Sequence, residues 1–503
     1  MGPMRRWELS VALDPRREQP LFLQLASTIA DGIRRGRLKA GDPLPGTREL
    51  AESLAVNRNT IVAAYNELLA EGLVSTRIGG GTFVEPLAAT LSAPQSTTAM
   101  PTFAVAPPLQ RTLQSKPLAP GALTLASGMP DARLFPARVL ARAFRRAIEH
   151  RGRALLTYAD ACGHVRLRTE LSAMLSRTRG LPATPDNLMV TRSIEQAIDL
   201  VARTLLVPGD VVVVEAFGYP PAWNVLRLAG ARLVPLPLDE DGLNVDALEA
   251  LLAHERVRAV FLTPHHQFPT TIVMSPQRRL QLARLALEHR FAIIEDDYDH
   301  EFHYAGKPVL PIASGIGRAN TVYVGSLSNL LAPGISTGFV VAPAPVFARL
   351  ASLRAASDAR GDVAMECALA ELFEDGELLR HMRRMRRIYA SRRDALVDAL
   401  RRRVGGALEF RVPEGGLALW TRTDPAIDVA AWMQAGEREG VRFASAQPYD
   451  FHLRERAFLR LGFGYHDEAE LDEATRRMAR ALALLRPARV AVTTSERGAA
   501  RAA

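Results

Sequence analysis

Apolar residues at Leu21, Leu25, Ile29 and Ile33 recur at a helical period and predict a first helix over residues 20–36. Gly41, Asp42 and Pro43 cannot continue it, and Thr47 is placed to cap a short second helix over residues 48–55. Asn57 is placed to cap a third, with Ile61, Tyr65, Leu68 and Leu69 facing inward and Gly72 stopping it. Residues 73–84, LVSTRIGGGTFV, read as two short strands around a glycine turn. Helix, short helix, helix and hairpin is the order of a winged helix-turn-helix. In that arrangement the tip Asn57, Arg58, Asn59 and Thr60 enters a DNA major groove.

The pattern then changes twice. Residues 85–121 are rich in Pro, Ala, Ser, Thr and Gln, with apolar residues at neither a helical nor a strand period, and predict a semi-extended tether. From Leu125 short apolar runs alternate with amphipathic helices. The runs at 188–191, 211–215, 232–236, 259–263, 292–296, 322–325 and 337–341 predict a mainly parallel sheet with helices on both faces. Ligands in such a sheet sit at the carboxyl ends of the strands. Further on, an arginine-rich helical stretch at 371–402 precedes strands at 408–412 and 415–419. The domain reading is therefore a winged helix-turn-helix over 1–84, a linker over 85–121 and a large α/β domain over 122–342. A small α+β domain over 343–487 and a disordered tail over 488–503 complete it.

Composition changes this picture little. An apolar fraction of 48% and a charged fraction of 23% are those of a soluble globular protein, and no apolar run approaches the roughly 20 residues that span a bilayer. A cytoplasmic protein without membrane partners is expected. Cys162 and Cys367 lack a partner spacing and are expected to be core fillers. The net charge of +9 permits nucleic-acid binding, yet the first 84 residues carry eleven Lys/Arg against nine Asp/Glu, so placement of charge must carry that case. Only three lysines occur, Lys39, Lys116 and Lys307.

Residues 21–86, from LFLQLASTIADGIRRG to GGGTFVEP, are similar nearly end to end to the DNA-binding domain of GntR-family bacterial regulators. The resemblance implies that Arg48, Arg58, Asn59, Thr60 and the wing glycines near Gly80 contact double-stranded promoter DNA. Further along, the order TYAD, Pro208-Gly209-Asp210, Gly218-Tyr219-Pro220, TPHHQFPT, IIEDDYDHEF and SLSNLLAPG resembles the aminotransferase-like domain of the MocR subfamily of those regulators. That domain has the fold-type I architecture of pyridoxal-phosphate-dependent transferases. Together the two resemblances cover most of the chain and imply a homodimer.

Residue by residue, the second resemblance implies a cofactor pocket. Asp296 matches the carboxylate that pairs with the pyridine nitrogen, and Tyr298 the phenol on the ring 3-oxygen. Tyr219 matches the aromatic stacked on the ring, and Ser326 and Ser328 the phosphate-binding hydroxyls. Arg460 matches the arginine that receives a ligand carboxylate as a bidentate pair. The departures are concentrated. Asn329 stands at the Schiff-base lysine, Ser336 at the phosphate arginine, Thr271 at the glycine of Pro-Thr-Gly, and Ser193-Ile194-Glu195 where a glycine normally admits the phosphate. No catalytic residue is therefore assigned. Covalent pyridoxal phosphate is not expected, and noncovalent binding is weakened.

The expected function is a DNA-binding transcription regulator. Its aminotransferase-like domain then serves for dimerisation and for sensing a small effector of amino-acid or vitamin B6 type. The alternative is a working aminotransferase with an appended DNA-binding module, which needs an amine that Asn329 lacks. Asp296, Asp297, Asp299, His300 and Glu301 are ligand types for a metal, as are His265 and His266. Adjacent strand residues alternate faces, however, and no metal site is expected from them.

Overall fold

The computed structural model describes residues 13–15, 19–77, 81–86, 117–126, 128–157, 160–306 and 309–485. Gly80 of the expected wing, Tyr158 of TYAD, Lys116, Lys307, most of the expected linker and the expected tail lie outside the described residues. The chain divides into two compact units, 1–108 and 109–503.

The first unit holds three helices, Leu21–Arg34, Thr47–Ser53 and Arg58–Ala70, and an antiparallel hairpin of Val74–Arg77 with Gly81–Val84. Leu25, Ile29, Ile33, Leu50, Ile61, Tyr65 and Leu68 are buried together, while Leu21 and Leu69 are only half-buried. Each fully buried aliphatic side chain contributes about 1.5–3 kcal/mol relative to exposure. Asn57 caps the third helix as expected, its Oδ1 accepting the Asn59 N–H at 2.8 Å. The expected Thr47 cap is corrected: Gly46 is the N-cap and makes no side-chain bond, so Thr47 is the first helical residue. Its hydroxyl instead accepts from Arg58 Nε at 3.3 Å, which joins the starts of the second and third helices. The Tyr65 hydroxyl donates to the Pro45 carbonyl at 2.8 Å and fixes the loop before the second helix.

The second unit is built on a seven-stranded sheet. Its spatial order is Leu188–Thr191, Gly338–Val341, Thr321–Ser326, Ala292–Asp297, Val257–Leu262, Val211–Glu215, Arg232–Leu236. Only Gly338–Val341 runs antiparallel to its neighbours. The strand residues are almost all buried, as they must be when helices cover both faces. Cys162 and Cys367 are both buried, as core fillers are.

A four-stranded antiparallel sheet, in the order Leu408–Phe410, Ala418–Thr423, Phe458–Gly462, Ala444–Ser445, forms the second layer system. Two expectations are corrected there. The single helical stretch over 371–402 is two helices, Val363–Glu374 and Glu377–Val404, because Gly376 takes a left-handed φ of 68° between them. The strand expected over 415–419 is Ala418–Thr423, and Gly415 makes only an isolated bridge with His303.

Candidate functional site

The carboxyl ends of the central strands converge on one region. Ala292–Asp297 delivers Asp296, Thr321–Ser326 delivers Ser326, and the turn after it carries Ser328 and Asn329. Asp296 is 2% exposed, and its Oδ1 has no hydrogen-bond partner among the described residues. Burial first, then the neighbouring Asp297, Glu195, Asp299 and Glu215 carboxylates, pushes its carboxyl well above the usual range.

Tyr219 and Tyr298 flank Phe268, with ring centroids 5.3 and 5.9 Å from it, both edge-on. Each phenol is already engaged. Tyr219 donates to Glu195 Oε1 at 2.7 Å, and Tyr298 donates to the His266 carbonyl at 3.0 Å. Glu195 stands in the first turn of the helix Ile194–Leu205, capped by Ser193 Oγ, so its charge lies where that helix end would otherwise receive an anion.

Ser326 Oγ accepts the Ser328 N–H at 3.0 Å, which closes the turn on itself. Asn329 is half-buried and its amide donates to the Tyr298 carbonyl at 3.4 Å. Ser336 is exposed. Thr271 holds a left-handed φ of 62°, strained for a β-branched residue, so the backbone keeps the conformation a glycine would supply.

Arg460, on Phe458–Gly462, is 5% exposed, and its guanidinium lies 4.8 Å over the Phe268 ring. Gly128 allows this approach, since a Cβ there would fall on the guanidinium. Among the described residues no carboxylate pairs with Arg460, and its Nε has no hydrogen-bond partner. Sequence reasoning missed Phe268, on which Tyr219, Tyr298, Tyr449 and Arg460 all pack; its only signal was its place in TPHHQFPT.

In the first unit Arg48, Arg58 and Asn59 are exposed and Thr60 is half-buried. Arg58, Asn59 and Thr60 share the first turn of the third helix, and the Arg58 bond to Thr47 brings the second helix, with Arg48, beside them.

Residues 21–84 match the family model for bacterial regulatory proteins of the gntR family, and residues 121–478 that for aminotransferase class I and II. The chain is 31% identical over 473 residues to the probable rhizopine catabolism regulatory protein MocR of Rhizobium meliloti, covering 92% of this chain and 94% of that one. It is 30% identical to the pyridoxine biosynthesis transcriptional regulator PdxR of Corynebacterium glutamicum, covering 92% and 96%. The chain belongs to the MocR-type gntR regulators. Among solved structures, the α-aminoadipate aminotransferase LysN of Thermus thermophilus is similar, with a TM-score of 0.67 at 27% identity over 72% of this chain and 92% of that one.

Membership in these MocR-type regulators makes the chain a DNA-binding transcription regulator with an aminotransferase-like domain, and pyridoxal phosphate is the group such a domain implies. The residues fit it only in part. Asp296, with its unpartnered oxygen, suits a protonated pyridine nitrogen. Asn329 offers no amine, Ser336 no charge for a phosphate, and Glu195 repels one. Among the described residues of the aminotransferase-like unit there is no lysine to hold the cofactor covalently. No described helix is long and apolar enough to cross a membrane.

The buried acids also set a pH dependence. Glu215, 3% exposed, accepts Thr263 N–H at 3.1 Å and Thr263 O–H at 2.9 Å, yet burial pushes its carboxyl from an ordinary 4.5 up to about 7. A folded-state value above the unfolded one means that stability is fully present below pH 4.5 and is lost as pH rises through about 7. Glu215→Gln keeps the acceptor for Thr263 and cannot ionise. It is expected to flatten the pH–stability curve over that window, by up to about 3 kcal/mol at neutral pH, in urea melts at stepped pH.

Proposed function

We propose that this regulator binds promoter DNA through Arg48, Arg58, Asn59, Thr60 and the wing near Gly80. Its aminotransferase-like unit forms a homodimer and senses a small carboxylate effector held without a covalent bond. The observation that carries the second part is Arg460, buried over the Phe268 ring with no carboxylate within ion-pair distance among the described residues. A buried arginine without a counter-ion is costly to leave, and a ligand carboxylate arriving as a bidentate pair removes that cost. Asp296, and Glu195, which accepts from the Tyr219 that packs on Phe268, supply the complement for an ammonium or a protonated ring nitrogen. An amino acid or a B6 vitamer has both charges. The relative PdxR, a pyridoxine biosynthesis transcriptional regulator, agrees with the second class.

The aminotransferase alternative is less favoured, because Asn329 can neither form the imine nor shuttle a proton at an α-carbon. Mixed with pyridoxal phosphate and an amino acid, the protein is expected to give no steady turnover.

The test is ligand-dependent stability. An effector that binds only the folded state raises its stability by RT ln(1 + [L]/Kd), or about 2.7 kcal/mol at a hundredfold excess over Kd. Thermal melts against a panel of amino acids and B6 vitamers are expected to single out a carboxylate or vitamer ligand, and Arg460→Gln to abolish its shift. A ligand whose shift survives Arg460→Gln contradicts the assignment of the pocket. Removal of residues 1–84 is expected to abolish specific DNA binding and leave the ligand shift intact.

A further inference from the structure

His265 and His266 follow the strand Val257–Leu262 and do not belong to it, so the alternation that would send them to opposite faces does not apply. His266 takes a left-handed φ of 54°, which turns the chain back and brings the two rings to 4.1 Å, tilted by 38°. From the segment after Ala292–Asp297, 37 positions beyond His266, His303 completes a triangle, its ring 5.7 Å from His265 and 5.8 Å from His266. One nitrogen from each of the three rings lies within 4.8 Å of the others.

All three are buried, at 1%, 0% and 8% exposure. Among the described residues, neither ring nitrogen of His265, neither of His303, nor Nε2 of His266 has a hydrogen-bond partner of good geometry, although the Ala305 backbone lies near the His303 ring. Buried polar nitrogens left in this state cost free energy, and three together need an explanation. The remaining nitrogen, His266 Nδ1, is 3.0 Å from Asp299 Oδ1. Carboxylate to imidazole, with the far imidazole nitrogen free, is how metal-binding histidines are oriented. Charge agrees. Asp296, Asp299 and Glu301 are buried carboxylates with no arginine or lysine within ion-pair distance among the described residues, whereas Asp297 pairs with Arg179.

We propose that His265, His266 and His303 bind a divalent transition-metal ion of the zinc class, with Asp299 positioning His266. Imidazole-only donors suit Zn2+, Cu2+ or Ni2+ over Mg2+ or Ca2+, and three ligands leave a fourth position for water. Bonds of about 2.0–2.1 Å set ligand nitrogens about 3.3 Å apart, so the rings draw together on binding. The site adjoins the pocket, since Tyr298 donates to the His266 carbonyl.

Untagged full-length protein, stripped with chelator and then dialysed against Zn2+, is expected to retain about one ion per chain by elemental mass spectrometry. Co2+ in its place is expected to give the intense visible absorption of a four-coordinate site. His265→Gln and His303→Gln are each expected to weaken Zn2+ at least about a hundredfold in competition with a chromophoric chelator. Asp299→Asn is expected to weaken it about 10- to 100-fold while keeping the stoichiometry at saturation. His150→Gln, at an exposed histidine, is the control and should leave affinity unchanged. Less than about a tenth of an ion per chain in the wild type, the pale spectrum of six-coordinate Co2+, or equal affinity in wild type and both histidine variants would overturn the proposal. The wild-type spectrum decides even if a variant does not fold.

Discussion

Replacing Arg48 and Arg58 together by alanine is expected to weaken specific promoter binding by about 10²- to 10⁴-fold. Each arginine that reaches a base edge or phosphate is worth about 1–3 kcal/mol, and the two side chains sit on different helices, so their losses should roughly add. Two lost phosphate contacts would also reduce the slope of log K against log salt by about 2. The fold should not pay for this. Both side chains are exposed, and the one bond Arg58 makes, to Thr47, is a long one at 3.3 Å. Stability is expected to stay within about 0.5 kcal/mol of wild type. Fluorescence anisotropy against a promoter fragment and a scrambled control, at two salt concentrations, reads both effects. A loss under about threefold on the promoter fragment would show that DNA is held elsewhere.

The second large effect is a gain. Asn329→Lys with Ser336→Arg is expected to give a borohydride-fixed pyridoxal-phosphate adduct on residue 329, whereas Asn329→Lys alone gives little. A charge-assisted hydrogen bond to a phosphate is worth about 1.5–3 kcal/mol, so the arginine alone restores roughly ten- to a hundredfold in affinity before any covalent bond counts. The positions are suitable. Asn329 already reaches the Tyr298 carbonyl inside the pocket, and Ser336 is exposed, with room for a long side chain. Peptide mapping after reduction reads the result. If the double variant stays bare, Glu195 is the next group to change, because its carboxylate, engaged with Tyr219, occupies the end of the helix that a phosphate needs.

Much of this was legible in the chain because it depends on local pattern. The strand runs at 188–191, 211–215 and 232–236 are the strands found, since an apolar run between turn signals leaves one solution inside a covered sheet. Asn57 was legible as a cap because its side chain satisfies an N–H two residues away. Thr47 was not, because the same residue type serves equally as a first helical residue bonded across to Arg58. The break at Gly376 was masked by helix-favouring arginines on both sides. Thr271 hid the fact that its backbone still holds the glycine conformation. The histidine triangle was illegible for two reasons. His265 and His266 lie past the strand's end, where alternation no longer holds, and His303 comes from a distant segment.

The most direct test of a pocket kept without its covalent chemistry is the absorbance spectrum of wild-type protein mixed with pyridoxal phosphate, before and after borohydride, followed by peptide mapping. The expected result is a spectrum of free or weakly held cofactor and no reduced adduct in the aminotransferase-like unit. A reduced phosphopyridoxyl group mapped to Lys307 would contradict it, for a lysine outside the expected position would then have taken over the missing amine.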